Sequence, residues 1–421
     1  MKGKLLKILI AAFAVCLISP AFSAVENVKV GGDISIYGVL RGDFDIGAGN
    51  ENIHFFQTSA RVYVEASLSN NVTGVVRLIN ERNWGYADTE PPYTGRDIDL
   101  DLAYIKVTDL LTPGLTLTVG RQEIQIGEGL VVGSQYNAYN YPVSLVSLAA
   151  PDLGLQKAFD AIKIDYSASA VPLNVSAFLS KINEGLYDDN DEATLYGLDI
   201  GYKVADVADL NVYYVRSAID KPTDVTLDTA GLRVVSKIPA VQNFNLKGEY
   251  AKQFGDNGSG GDFKGWALLL GGEYKFATNM EPAIKVNYNL YTGQKAGVDT
   301  KEWVQVFPSN IGSRIGPLFY AYDAYNFPND AETNLSVINV GLSLKPVEKL
   351  SLSLDGYLLK LREDLGNGKD VGTEIDLGIE YKYSEDLTFG LNLGKILADD
   401  AIENVGGDDA WQAIASMKLV F

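Results

Sequence analysis

The dominant pattern along this chain is a strict alternation of apolar and polar residues. The last stretch, WQAIASMKLVF (Trp411–Phe421), places an apolar side chain at every second position. The stretches Val28–Ile46, Ala60–Leu68, Trp266–Phe276 and Val371–Tyr383 alternate in the same way, with charged residues confined to one side. Successive side chains of a β-strand point to opposite faces, so a two-residue period is typical of strands. The pattern predicts an all-β protein.

The connections between the alternating stretches are short and long in turn. Longer polar loops, such as 81–96, 183–193, 217–225, 255–262, 362–370 and 398–410, separate the short turns. The short turns are predicted at Asn70–Asn71, Thr108–Gly114, Ala168–Pro172, Ala205–Asp209, Pro239–Asn243, Ala277–Met280, Pro346–Lys349 and Ser384–Asp386. This division predicts about 18 strands, with both chain ends on the short-turn side. An even strand number with short turns at one end is typical of outer-membrane barrels.

Hydrophobic residues make up 47% of the composition, although beyond the N-terminal segment no apolar run approaches the length of a membrane-spanning helix. Such a helix needs roughly 20 apolar residues. Lipid offers no hydrogen-bond partner to an open sheet edge, so an apolar chain without such helices crosses a membrane only as a closed barrel. We therefore predict a transmembrane antiparallel β-barrel, closed between its first and last strands and covering residues 24–421 without a separate plug domain.

The N-terminal segment has the composition of a secretory signal peptide. Lys2, Lys4 and Lys7 are followed by an apolar stretch that reaches Ile18 and by small residues near Ser23. A basic start, an apolar centre and a small-residue cleavage site are the three parts of such a signal. We predict that residues 1–23 are removed and that the mature barrel lies in the outer membrane of a Gram-negative-type bacterium, in contact with its lipid. Cleavage of this segment would also remove the only cysteine, Cys16, from the mature chain.

The chain ends on an aromatic residue, Phe421, with no polar tail. Chain termini usually fray, so an apolar strand that continues to the last residue is unusual. In a closed barrel the last strand pairs with the first, which leaves no free edge. Outer-membrane proteins typically end in such a strand. We therefore predict that Phe421 closes the barrel and is read by the barrel-assembly machinery.

Charge narrows the possible partners. The chain carries 54 Asp and Glu against 35 Lys and Arg, a net charge of −19, which argues against nucleic acid as a partner.

Acidic and basic residues are nearly balanced on the predicted inward faces, and opposed rows of them would impose a transverse electric field across the lumen. A barrel of 16–18 strands leaves an aqueous channel. The residues predicted to line it or its constriction are Arg41, Arg61, Arg77, Asp99, Asp101, Arg121, Arg233, Lys237, Lys247, Glu374 and Asp376.

Two connections are much longer than the others. Residues 127–158 are rich in small, apolar and aromatic side chains, so we expect this loop to fold into the barrel mouth as a constriction. Residues 294–333 carry many aromatic side chains beside Arg and Asp, which could stack on sugar rings or simply pack within the loop.

No catalytic or cofactor motif stands out. The one histidine, His54, has no recognisable partner for a catalytic triad or a zinc site. The glycines lie at strand positions rather than before a helix, and no phosphate-binding loop is present. We predict neither enzymatic activity nor a cofactor.

The segment GRQEIQIGEGLVVGS (Gly120–Ser134) resembles the alginate-export family of outer-membrane porins. The sharp matches are Gly120-Arg121-Gln122 and Gly127-Glu128-Gly129. The resemblance implies an eighteen-stranded barrel that passes an anionic polysaccharide through an electropositive constriction, with Arg121 near it. Two features depart from the family pattern: Leu130-Val131 follows the Gly-Glu-Gly, where relatives often have a basic residue, and the lumen charges are balanced.

Three functions stay open from the sequence. The first is a channel for small polar solutes or saccharides, including export of an anionic polysaccharide. The second is a general, non-specific porin with weak ion selectivity. The third, from a different class, is a non-conducting outer-membrane barrel that acts as an adhesin or a hydrolase.

Overall fold

The structure is a computed structural model and describes residues 27–43, 52–85, 98–133, 151–183, 192–220, 224–238, 241–308, 316, 318–319 and 333–421. The predicted signal peptide, residues 1–23, and parts of the two long loops lie outside these ranges. The start of the mature chain therefore stays a prediction.

The described residues form one antiparallel sheet of 18 strands, as the alternation predicts. Each strand pairs with its neighbours in sequence. The strands are β1 Asn27–Gly42, β2 Ile53–Ser69, β3 Val72–Asn83, β4 Asp99–Val107, β5 Leu115–Glu123, β6 Ala158–Ser167, β7 Leu173–Asn183, β8 Glu192–Val204, β9 Ala208–Asp220, β10 Val225–Lys237, β11 Phe244–Phe254, β12 Trp266–Lys275, β13 Ala283–Tyr291, β14 Leu335–Val347, β15 Leu350–Leu361, β16 Asp370–Lys382, β17 Leu387–Ala398 and β18 Ala410–Val420.

The sheet closes on itself through β1 and β18, which confirms the predicted closure. Their register runs from Asp33 opposite Val420 to Gly42 opposite Trp411. Phe421 extends the pairing by two backbone hydrogen bonds with Gly32, of 2.9 and 3.0 Å. The Phe421 ring covers Gly32 so closely that a Cβ there would lie 2.7 Å from Cζ of the ring. Glycine at this position therefore makes room for the terminal aromatic side chain.

Seven of the eight short turns lie where the sequence predicts them, and the eighth falls between β10 and β11 with residues 239–240 outside the described ranges. The two ends of the barrel therefore differ in connection length. One long connection is shorter than predicted. Residues 217–225 were expected to form a loop, yet β9 continues to Asp220, with Ile219 opposite Val225 and Ser217 opposite Leu227. The polar residues belong to strand ends because the backbone ladder continues beyond the apolar part of each strand.

The outward face is apolar and is bordered by aromatic side chains at both ends. Near the long loops, Phe56 stacks on Trp84 at 4.8 Å between ring centroids, and Tyr250 lies 6.0 Å from Trp266. Near the short turns, Tyr274 meets Phe276 at 4.8 Å. Exposed apolar side chains such as Val62 and Leu354 lie between these belts. An apolar band between two aromatic girdles is the outer surface of a transmembrane barrel.

Helical structure is sparse in the described part of the chain. A 3-10 turn covers Pro151–Leu153, and a one-turn helix, α1, covers Asp400–Glu403 with Asp399 as its N-cap. None of the helices among these residues is long and apolar enough to cross a membrane.

Candidate functional site: the lumen and its two inward loops

The β5–β6 loop (residues 124–157) and the β13–β14 loop (residues 292–334) meet inside the barrel. Val132 and Phe307 form a parallel bridge, in which Gly133 N–H donates to the Phe307 carbonyl at 2.8 Å and Phe307 N–H donates to the Val131 carbonyl at 2.9 Å. The Phe307 ring meets Phe159 of the wall edge to face at 5.7 Å. The described part of the β5–β6 loop thus folds inward, as its apolar composition predicts.

These two loops share one apolar cluster with the barrel wall. Leu130, Val131 and Val132 are at most 1% exposed, and Trp303 of the other loop is equally buried. They pack against inward-facing wall residues such as Tyr291. The apolar character of both loops is therefore explained by packing inside the barrel rather than by contact with lipid.

Glu128 connects the start of the β5–β6 loop to the barrel wall at β10 and β11, five and six strands away from β5. Its Oε1 accepts hydrogen bonds from Nε of Arg233 on β10, at 2.9 Å, and from Nη2 of the same side chain. Its Oε2 accepts from Nζ of Lys247 on β11 at 3.1 Å. We call these contacts the Glu128 clasp. The three side chains are 27%, 21% and 48% exposed, so the clasp is in contact with water.

The backbone around Glu128 is shaped for this contact. Glu128 N–H donates to Oε2 of Glu249 on β11 at 2.9 Å, and Oε1 of Glu249 accepts from the Tyr213 hydroxyl. Gly127 adopts φ +58°, and a Cβ there would lie 2.7 Å from Oε1 of Glu249. Partial burial acts to raise the pKa of Glu128, a loop residue outside the strands, but Arg233 and Lys247 together hold that pKa below its ordinary value.

Arg41 ties the far end of the same loop to β1. Its Nη1 and Nη2 donate to the two carboxylate oxygens of Asp152, at 3.1 and 2.6 Å, and its Nε donates to Gln412 at 3.3 Å. The Arg41 side chain is 0% exposed and that of Asp152 is 8% exposed. Arg41 therefore faces inward as predicted, but it is covered by the loop. We call this contact the Arg41 clasp.

Glu374 holds the other inward loop. Its two carboxylate oxygens accept the backbone N–H groups of Leu318 and Phe319, each at 2.9 Å, and the side chain is fully buried. Asp376 lies two residues further along the same inward face, and its carboxylate has no hydrogen-bond partner among the described residues. Both residues lie inside the barrel, at the point where the β13–β14 loop meets the wall.

The wall formed by β1 to β5 carries the next group of candidates, all of them paired or bridged. Arg61 donates from Nε to Asp33 at 2.9 Å. Arg77 bonds both Asp101 and Glu123. The pairing of β3 with β4 shifts in register between Arg77 and Leu78, which lie opposite Leu102 and Leu100. This irregularity lets Asp101 point inward together with Leu102. Asp99, on the same strand, accepts from Gln156 of the β5–β6 loop at 3.4 Å.

Among the residues predicted to line the lumen, Arg121 is the one that the structure places on the outward face. It is opposite Ala103 and Asp160 in the sheet, and Ala103 is opposite Val76, which is 47% exposed on the outward face. Its Nη1 donates to Asp160 at 3.2 Å. Because neighbours in register share a face, Arg121 points towards lipid and not into the lumen, and the expectation of Arg121 near the constriction was wrong.

The alternation of apolar and polar residues along β5 already indicates that Arg121 faces outward. Leu115, Leu117 and Val119 have the same parity as Arg121, whereas Gln122 has the parity of the inward Thr118. Gln122 is 4% exposed and donates to the backbone carbonyls of Thr118, Gly120 and Ala161. The glutamine of the Gly-Arg-Gln motif, and not its arginine, faces the interior.

A cavity of about 360 Å³ lies beside the Glu128 clasp. Arg233 and Lys247 line it, and Lys237 lies at the short-turn end of the same strand as Arg233. Asn245, Asn287, Asn289 and Asn339 also line it, with Asn287 donating to Asn339 at 2.8 Å. The lining residues predicted from the sequence were all charged and did not include these amides, although the two-residue spacing of Lys285, Asn287 and Asn289 on β13 indicates one face.

Charges in the lumen are paired locally rather than arranged in opposed rows. Besides the pairs already described, Lys285 bonds Asp355 at 2.8 Å, Lys163 bonds Asp165 at 2.7 Å and Lys275 bonds Glu273 at 2.9 Å. Neighbouring opposite charges cancel over a short distance, so they argue against the transverse field expected from the sequence. Among the described residues, no group of three or more His, Cys, Asp and Glu side chains could hold a metal ion.

A closed barrel with an apolar outer band, a polar lumen and loops folded inward defines an outer-membrane channel for small solutes. The chain belongs to the alginate export family, whose model matches residues 26–416. The family and the fold are those of a channel rather than of an enzyme. No curated protein sequence matches the chain.

Solved outer-membrane porins have the same fold. OpdO from Pseudomonas aeruginosa superposes with a TM-score of 0.62 at 11% identity, over 95% of this chain and 98% of that one. OprD from the same organism gives 0.59 at 13% identity, over 96% and 97%. OccAB2 from Acinetobacter baumannii gives 0.60 at 11% identity, over 95% and 99%. At such identities the likeness concerns the fold alone.

Proposed function

We propose that the channel passes saccharide-sized polar solutes in contact with the cavity beside the Glu128 clasp, with weak ion selectivity. The observation that carries this proposal is the lining of that cavity, in which four asparagines accompany Arg233 and Lys247. Amide groups donate and accept hydrogen bonds, as sugar hydroxyls do. Arginine and lysine add donors suited to a carboxylate.

The two inward loops support a selective channel over a general porin. They are bridged to each other and bonded to the wall at Arg41, Arg233 and Glu374, so they restrict the lumen. Weak selectivity is supported by charge pairing, since Glu128 shares its carboxylate between Arg233 and Lys247. A uronate oligomer, the chemistry that the family's description suggests, would compete with Glu128 for these two cations.

Single-channel recording in planar bilayers tests the proposal. We expect uronate oligomers to block the current more strongly than neutral oligosaccharides of equal length. Block by uronates should weaken in the Arg233→Gln/Lys247→Gln variant and persist in Lys275→Gln, which removes an inward charge outside the cavity. Steady conductance without any saccharide block would favour a general porin. Flat traces from folded protein would favour the adhesin or hydrolase alternatives.

We also propose that Phe421 serves barrel assembly in the cell. The close fit of its ring on Gly32 supports a structural role, and the aromatic terminus supports recognition by the assembly machinery. Heat-modifiable gel mobility measures the folded fraction. Phe421→Ala should lower that fraction in cells more than in detergent refolding, where no machinery acts. Phe389→Ala, which alters an outward ring on β17, is the matched control. Equal losses in the two settings would leave only the structural role.

The mature N-terminus at Ala24 is a related proposal, supported by the composition of residues 1–23. Intact mass measurement of protein purified from outer membranes should give a chain that starts at Ala24. A mass that includes Met1 would contradict it.

A further inference from the structure

Two neighbouring carboxyl groups of β16 lie buried beneath the β13–β14 loop. Glu374 binds the backbone N–H groups of Leu318 and Phe319, and its side chain is fully buried. Asp376 is the next residue on the same inward face and lies within hydrogen-bonding reach of Glu374. Both oxygens of Asp376 are inaccessible to water, and no donor among the described residues reaches them. A buried anion without a donor or a cation is costly.

The strands on one side of the pair supply more acidic groups than basic ones. Asp355 on β15 lies directly opposite Asp376, and Tyr357 lies opposite Glu374. Among the described residues, the cation that acts on Asp376 is Lys285 of β13. Its Nζ donates to Asp355 at 2.8 Å, so Lys285 is already engaged by another carboxylate.

The elements on the other side are uncharged where they meet Asp376. On β17, Gly394 lies opposite Asp376, and a Cβ there would lie 2.6 Å from Oδ1 of Asp376 and 3.3 Å from Cβ of Leu318. On β18, Gln412 lies opposite Gly394, and its Oε1 accepts from Nε of Arg41, which belongs to the Arg41 clasp. Helix α1 also contacts β16, and its acidic side chains are exposed: Asp400 and Glu403. The described residues at this point therefore offer the pair no unengaged cation.

We propose that Glu374 and Asp376 share one proton at neutral pH and that this proton keeps the β13–β14 loop seated against the wall. Two ionised carboxylates only accept hydrogen bonds, whereas a protonated one also donates, so a single proton supplies the donor that Asp376 lacks. The pair then carries one negative charge, which the N–H groups of Leu318 and Phe319 stabilise.

Loss of the shared proton to bulk water would leave two anions side by side in a dry site. Adjacent carboxylates disfavour simultaneous ionisation, and water relieves that repulsion. The β13–β14 loop covers the pair, so its release is what would admit water. Seating of the loop is therefore favoured at low pH and weakens as pH rises. Asp376 acts as a positioning residue through Glu374, whichever solute the lumen transports.

Infrared difference spectroscopy of the full-length folded protein in detergent tests the shared proton. Exposed carboxyl groups are ionised at about pH 7, and the C=O band of a protonated acid is distinct from the carboxylate bands. The spectrum of the original protein minus that of Asp376→Asn should show one protonated-acid band, because the amide donates without a proton to lose. Asp376→Ser serves if that variant does not fold, as judged by heat-modifiable mobility. A difference spectrum without the band would overturn the inference.

The matched control is Glu380→Gln, which alters an exposed carboxylate on the same inward face of β16. Its difference spectrum at about pH 7 should show no protonated-acid band, because an exposed carboxyl group is already ionised. A band of equal size in this control would mean that the signal does not come from the buried pair, and would overturn the assignment.

Bilayer recordings test the effect on the loop. Release of the loop also releases one proton, so the ratio of loosened to seated states should rise by up to about tenfold per pH unit. Changes of current level should become more frequent between about pH 5 and about pH 9 in the original protein and in Glu380→Gln, but not in Asp376→Asn. An equal rise in Asp376→Asn would overturn the role of the proton in the loop. Flat traces would contradict the proposed channel function, and the infrared result would still decide the shared proton.

Discussion

The β5–β6 loop is fastened to the barrel by two clasps that differ in their contact with water. In the Arg41 clasp, a bidentate ion pair is buried, with side-chain exposures of 0% and 8%. In the Glu128 clasp, one carboxylate is shared between two cations whose side chains are 21% and 48% exposed. Both clasps use the same chemistry, so burial is what separates them.

The difference in burial assigns different tasks to the two clasps. Removing one partner of a buried pair leaves a charge without water or counterion, which costs far more than breaking an exposed pair. The Arg41 clasp is therefore suited to holding the loop in place. The exposed cations of the Glu128 clasp can meet a solute, so this clasp is suited to setting the charge of the passage.

The largest effect is expected from Arg41→Gln, because Asp152 would lose its cation inside the wall. Loss of one partner from a buried ion pair typically costs about 3–5 kcal/mol. Denaturant unfolding in detergent measures this loss, and bilayer recordings should show larger current fluctuations. Arg61→Gln is the control, since the Arg61–Asp33 pair is 19% and 23% exposed. Equal midpoints for the two variants would contradict the structural role of burial.

Glu374→Gln should have the next largest effect, since a neutral amide has one carbonyl oxygen for the two N–H groups of Leu318 and Phe319. An unsatisfied buried donor costs about 1–3 kcal/mol. We expect the β13–β14 loop to loosen, which recordings would register as more frequent changes of current level. Glu380→Gln changes an exposed carboxylate on the same inward face and should leave the trace unaltered. A Glu374→Gln channel whose current level changes no more often than that of the original protein would argue against this role of Glu374.

Glu128→Gln should change stability little and selectivity measurably. An exposed ion pair contributes about 0–1 kcal/mol, so the unfolding midpoint should stay near that of the original protein. Arg233 and Lys247 would lose their shared counter-charge, and the reversal potential in a salt gradient should move towards anions. An unchanged reversal potential together with an unchanged midpoint would show that the clasp faces away from the conducting path.

The pH dependence of the same clasp follows from the lowered pKa of Glu128. A carboxyl group whose pKa is lower in the folded protein stabilises the fold fully above its unfolded pKa, here near the ordinary value of 4.5, and loses that contribution as pH falls through the lowered value. The difference in selectivity between the original protein and Glu128→Gln should therefore persist at pH 4.5 and disappear only in stronger acid.

Arg121→Glu should have the smallest effect on conduction, because Arg121 faces lipid. Its reversal potential and single-channel current should match those of the original protein, whereas Arg233→Glu should shift selectivity towards cations. A cation shift in Arg121→Glu as large as in Arg233→Glu would place Arg121 back beside the pore and would contradict its outward register.

Much of the fold could be predicted because successive residues of each strand in the barrel wall face lipid and the aqueous lumen in turn, and their polarity shows which. Strand alternation predicted the inward position of Arg61, Glu374 and Asp376. A short motif carried the prediction for Arg121 and led to the wrong face, although the parity of Leu117 and Val119 on the same strand indicated the right one. Parity along a strand is a stronger guide to face than a local resemblance, because one residue of slip reverses every side chain.

The sequence by itself determined the strand number, the closure through Phe421 and the apolar composition of the inward loops. These features depend on neighbouring residues and on the choice between lipid and water. Only the tertiary structure decided which charges meet. Arg41 and Asp152 are 111 residues apart and Arg233 and Glu128 are 105 apart. Such pairs form only after the 18 strands have closed into a barrel and the β5–β6 loop has folded inward to reach β1 and β10.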